Sequence, residues 1–184
     1  MTETVSLEAH RLRKAARRGF REWRRLFPVL GDADEQTRIR DLPDQVLLLF
    51  CEDLPQSRVL IYDLLMGVYG LGSGYEFESL PPEQVGALLD PFFLITDLMR
   101  FECLRRLGWA YPHPGSVIPI IELVQQIRTR ISPDFLGTPE LTSAHPAFKM
   151  LQKPSLLEQA VFLRRHIPEA VGRFREKILN REER

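Results

Sequence analysis

Along most of this chain the apolar positions recur every three or four residues, the period of a helix buried on one side. Over residues 6–27 the period is clean: Leu12, Ala15, Ala16, Gly19, Phe20, Trp23, Leu26 and Phe27 share one face. Arg11, Arg13, Lys14, Arg17, Arg18, Arg21, Arg24 and Arg25 take the other, with Glu22 at the margin. Ser6 is placed to cap this helix, and Pro28 and Gly31 to stop it. Residues 31–44 are polar and acidic and read as a connector, since their carboxylates lack the spacing of a calcium loop.

Two denser apolar runs follow. Val46-Leu47-Leu48-Leu49-Phe50-Cys51 is the body of a segment from Pro43 to Asp53, and Val59 to Tyr69 forms the second. Asp53-Leu54-Pro55-Gln56 between them resembles a cap with a glutamine at its third position. Leucine richness and the flanking signals favour helices; strands near 46–51 and 58–63 would instead give an α/β fold. A short helix over 83–89 is predicted to meet a longer one at 90–107 at an angle, because Pro91 disfavours helical geometry at Asp90. Asp90 and Pro91 read as the cap and first residue of that longer helix, and Gly108 as its left-handed end. Its first half is apolar on nearly every side, so it is predicted to lie between other elements.

Past a loop at 109–116, where His113 sits between two prolines and is expected to be exposed, Ser116 is expected to cap a helix from Val117 to Ile131. Pro133, Pro139, Pro146 and Pro154 mark a long connection at 132–154, divided by a short helix near 147–152. Ser155-Leu156-Leu157-Glu158 fits a capping box, and the helix it opens is predicted to end or kink at Pro168 before continuing to Asn180. The whole reads as all-α: one domain over 1–184, frayed at 1–5 and 181–184, with six or seven helices around a buried one near 91–107.

Composition changes this picture in one respect. Lys and Arg number 25, as do Asp and Glu, but they are segregated. Residues 1–30 carry a net +5, residues 31–104 a net −10 and residues 105–184 a net +5. Either the ends fold against the middle and cancel its field, or opposite patches persist and attract a partner or a second copy. No apolar run approaches the 18 or so residues of a membrane span, and no secretory leader pattern is present, so a cytoplasmic location is expected. Cys51 and Cys103 sit in apolar segments and are expected to be reduced, buried thiols.

Candidate chemistry is sparse. There is no His-Glu-x-x-His, Cys-x-x-Cys or Gly-x-Ser-x-Gly, and His10, His113, His145 and His166 show no ligand spacing. Gly67-Val68-Tyr69-Gly70-Leu71-Gly72-Ser73-Gly74-Tyr75 is glycine-rich, yet lacks the lysine of a phosphate loop and leads into Glu76 and Glu78. Asp63, Asp97 and Glu102 interrupt apolar helices; converging in a pocket, they would make an acid–base or metal site. No cofactor is expected, and catalysis is not favoured. The expected function is a non-catalytic helical adaptor or assembly factor, bound to a protein partner or to itself. Its handles are the basic face Arg11, Arg13, Lys14, Arg17, Arg18, Arg21, Arg24 and Arg25 and the acidic region 31–83. The rivals are nucleic-acid binding through residues 11–25 and an enzyme with a buried carboxylate site.

Overall fold

The leucine-rich runs are helical, which removes the α/β alternative. In the computed structural model, which describes residues 7–52, 54–128, 137–151 and 156–182, the chain forms α1 (Leu7–Gly19), α2 (Arg21–Leu26), α3 (Asp44–Cys51), α4 (Pro55–Tyr69), α5 (Pro82–Arg106), α6 (Ile120–Arg128) and α7 (Leu156–Glu182). Among the described residues there is no strand, only isolated bridges pairing Arg38 with Pro119 and Ala110 with Leu141. The expected caps Ser6 and Ser155 lie outside the described residues.

The centre is a pair of helices. α5 packs on α3, α4, α6 and α7, as its all-round apolar first half predicts. α4 shares that position, touching α1, α2, α3, α5 and α6. Its buried residues run almost unbroken from Leu60 through Gly67, interrupted only at Tyr62. Both helices end alike. Gly70 and Gly108 adopt positive φ, and the amides of Leu71 and Trp109 reach back to the carbonyls of Met66 and Leu104, each at 2.9 Å. Only glycine takes that left-handed turn at no steric cost.

Several boundaries differ from the expectation, each for a packing reason. The amphipathic run 6–27 is two helices. Phe20, at φ −88° and ψ 11°, breaks the run, and both Phe20 and Trp23 reach complete burial. The helices expected at 83–89 and 90–107 are one, α5, with Pro91 buried inside it and Asp90 exposed in mid-helix rather than capping. An internal proline costs about 3 kcal/mol. Leu88, Phe92 and Ile95 flank it and are all buried, at about 1.5–3 kcal/mol each, so burial outweighs the lost hydrogen bond. α7 likewise runs through Pro168 without ending. α4 takes Leu54 as its cap residue, because Pro55 suits the first helical position. Ser116 does not cap α6; it lies in a 3-10 turn, Pro114–Val117, and donates to the His113 carbonyl at 2.8 Å.

The described part of the long connection packs down. Tyr111 donates its amide to Glu140, and the Thr142 amide and hydroxyl reach the carbonyls of Trp109 and Gly108. A 3-10 turn at Phe148–Leu151 stands where the short helix was expected.

Candidate functional site

α1 meets α4 almost backbone to backbone. A methyl group on Gly67 would come within 2.8 Å of the Arg18 carbonyl, and one on Gly19 within 2.9 Å of a Leu64 methyl. Ala15, Ala16 and Gly19 form the small-residue side that permits this approach. Trp23 then locks α2 in place, its ring edge-on to Phe20, tilted over Phe50 and donating from Nε1 to the Leu60 carbonyl at 2.9 Å. With this side buried, the basic side of α1 faces solvent. Glu8 in the first turn and Arg17 and Arg18 in the last also suit the helix dipole.

The eight basic residues divide into two sets. Arg24 is half-buried and structural, donating to the carbonyls of Arg17 at 2.9 Å and Ala33 at 3.2 Å. Arg25 is held by Glu22 at 2.7 Å, a hydrogen bond that raises the guanidinium pKa, and Arg21 approaches the same carboxylate at 3.7 Å. Arg13 meets Glu35 at 3.6 Å. Arg11, Lys14, Arg17 and Arg18 are exposed, and no acid pairs with them among the described residues. His10, Arg13, Lys14 and Arg17 line a shallow groove along this face.

The other basic third of the chain is spent differently. Arg106 reaches Asp44 at 2.5 Å, Arg181 reaches the other Asp44 oxygen at 3.0 Å, Arg175 takes Glu52 at 2.6 Å and Arg164 takes Asp97 at 3.2 Å. The carboxyl-terminal arginines thus neutralise part of the acidic middle, whereas among the described residues the face of α1 does so only through Arg13.

The three buried-carboxylate candidates each have local partners. Glu102 is buried and gripped by Arg105 through two bonds, at 2.7 and 2.6 Å, and by Arg106 at 2.9 Å. Asp97 is partly exposed between Arg100 at 3.5 Å and Arg164. Asp63 is buried and accepts from the Ser73 hydroxyl and the Gly74 amide, both at 2.9 Å. This joins two features the sequence presents separately and answers whether the glycine-rich turn can cradle an anion. The Gly74 amide is taken by Asp63 and the Ser73 amide by Glu76 at 3.2 Å, so carboxylates of the chain itself already hold the turn. Among the described residues no group of three His, Cys, Asp or Glu is placed to hold a metal ion.

His113 is buried, contrary to expectation. Its Nδ1 accepts from the Gly115 amide at 3.0 Å, so Nε2 carries the proton and donates to the Gly137 carbonyl at 3.0 Å. Phe101 beside it and the 3-10 turn after it explain the burial. His145 is also buried, with Nδ1 accepting from Ala147 at 3.1 Å. Burial lowers both pKa values, and His166 lowers that of His145 further. Cys51 and Cys103 are buried free thiols, as expected. Hydrogen bonding with the neighbouring Cys103 thiol, together with burial, pushes the Cys51 pKa well up.

No helix among the described residues is long and apolar enough to cross a membrane. Comparison of the chain with known protein families, with curated proteins and with solved structures gave no match.

Proposed function

We propose that this chain is a non-catalytic helical interaction module whose α1 face docks an acidic segment of a protein partner. One observation carries the reading: Arg11, Lys14, Arg17 and Arg18 project as a cationic stripe without acid partners among the described residues, while in the equally basic carboxyl-terminal third Arg105, Arg106, Arg164, Arg175 and Arg181 are each paired with an acid of the fold. Charge left uncompensated on a fixed helix steers a partner of opposite sign and fixes its register. The acidic handle once expected at 31–83 is weaker, because Asp44, Glu52 and Asp63 are engaged within the fold. Phe20 and Trp23 are wholly buried, so the rings of this segment offer no platform for stacked bases.

The test compares an acidic peptide and a DNA duplex by fluorescence anisotropy over a range of salt. Wild type is set against a variant with Arg11, Lys14, Arg17 and Arg18 all changed to Ser. The expected result is peptide binding that the variant loses by tenfold or more, about 1.4 kcal/mol. Duplex binding that collapses with salt, with no affinity for the peptide, would transfer the assignment to nucleic acid.

A further inference from the structure

A second concavity lies apart from the basic face. A cleft of about 460 Å³ opens between the end of α3, the middle of α5 and α7. That size falls within the roughly 300–1,000 Å³ of small-molecule sites. Its floor is apolar: Cys51, Ile167 and Val171 are buried beneath it, and Leu54 stands exposed at its edge. Arg100, Arg164 and Arg175 surround the floor, with Glu52 the one acid among the described lining residues.

The arginines are not equivalent. Arg175 gives both Nε and Nη2 to Glu52, at 3.0 and 2.6 Å. Arg164 is 68% exposed, and its contact with Asp97 uses one donor at 3.2 Å. A guanidinium has five N–H groups, so most of its fork remains for a ligand. α7 also leaves open space here: a methyl group built on Gly172, which lines the cleft, meets nothing within 4 Å.

We propose that this cleft binds a small amphipathic monocarboxylate. The apolar body lies on Cys51, Leu54, Ile167 and Val171 and extends over the open space at Gly172; the carboxylate takes the fork of Arg164. An arginine rim selects an anion and disfavours a cation. The apolar floor favours a hydrocarbon body over an inorganic ion. Glu52 and Asp97 beside the rim oppose a second negative charge, which favours a carboxylate over a phosphate dianion.

Isothermal titration of the full chain with octanoate, octylamine and inorganic phosphate tests this. Octanoate is expected to bind at one site per chain, and the other two not. Gly172→Leu is expected to keep the helical circular-dichroism signal and lower octanoate affinity at least tenfold. Arg164→Gln, an exposed change that leaves the core untouched, is expected to lower it about tenfold, the scale of one charge-assisted hydrogen bond. Absence of octanoate binding at millimolar concentrations, equal binding of octylamine, phosphate binding in place of octanoate, or affinity unchanged in both variants would each overturn the proposal.

Discussion

At Asp63 a single buried carboxylate holds a turn that periodicity treats as mere punctuation. Its Oδ1 takes the Ser73 hydroxyl and the Gly74 amide, and Gly74 packs so closely that a methyl there would come within 2.4 Å of the Val59 carbonyl. Asp63→Ala strands the Gly74 amide in the interior. The expected loss is about 1–3 kcal/mol in urea unfolding, with Asp63→Asn milder because its side-chain carbonyl still accepts. The two histidines give a pH dependence whose sign is fixed. Each has a folded pKa below the unfolded value of about 6.5, so the neutral ring is the native form, and protonation of Nδ1 breaks the bonds from Gly115 and Ala147. Stability from these groups is complete above about pH 6.5 and declines as pH falls through the folded values. Thermal melts between about pH 7 and pH 5 should show a falling midpoint, and the fall should shrink in His145→Gln. Neither role was legible in the sequence. A histidine between two prolines looks like loop, and a carboxylate bonded to a turn ten residues on has no periodic signature.

Elements were more legible than residues. Helical signals ran along the whole chain, although α1 and α2 read as one helix and α5 as two, and Gly108 marked the end of α5. Pro91 was the misleading signal. Pro91 and Pro168 are both inside continuous helices, because the local cost of a missing amide is smaller than the burial that the flanking turns gain by staying in phase. The close crossing of α1 and α4 was also hidden. Gly67 stands in the sequence only as the start of a glycine-rich stretch, whereas its role is to let two backbones touch. Gly67→Ala should force the helices apart and cost about 1–3 kcal/mol by chemical denaturation. Gly86 is the counterexample. It lies in α5 with open space around it, so Gly86→Ala should stabilise by about 0.5–1 kcal/mol and raise the melting midpoint.

Over the whole molecule, charge segregation was visible in the sequence, but its resolution was not, since pairing across more than a hundred residues depends on which faces meet. Glu52 with Arg175 and Asp44 with Arg181 tie α3 to α7, while Arg106 joins Glu102 and Asp44 and also donates to the carbonyls of Arg40 and Leu42. Lys177 of α7 donates to the carbonyl of Arg106. Glu102 is the node of this network. Glu102→Ala removes the carboxylate shared by Arg105 and Arg106, but Arg106 keeps Asp44 and Arg105 reaches solvent, so the expected cost is about 1–3 kcal/mol, read as a drop in denaturation midpoint.

The enclosure of α4 has a consequence for how the chain opens. Five other helices pack on it, drawn from residues 7 to 128, so the amides of its buried run from Leu60 to Gly67 contact water only when the assembly comes apart as a unit. In deuterium labelling, α4 should retain protium longest and exchange at the global limit, ahead of which the ends of α7 will have exchanged. A fragment beginning at residue 28 would lose the lid over Leu60 and Leu64 and should label throughout α4 within the fastest phase.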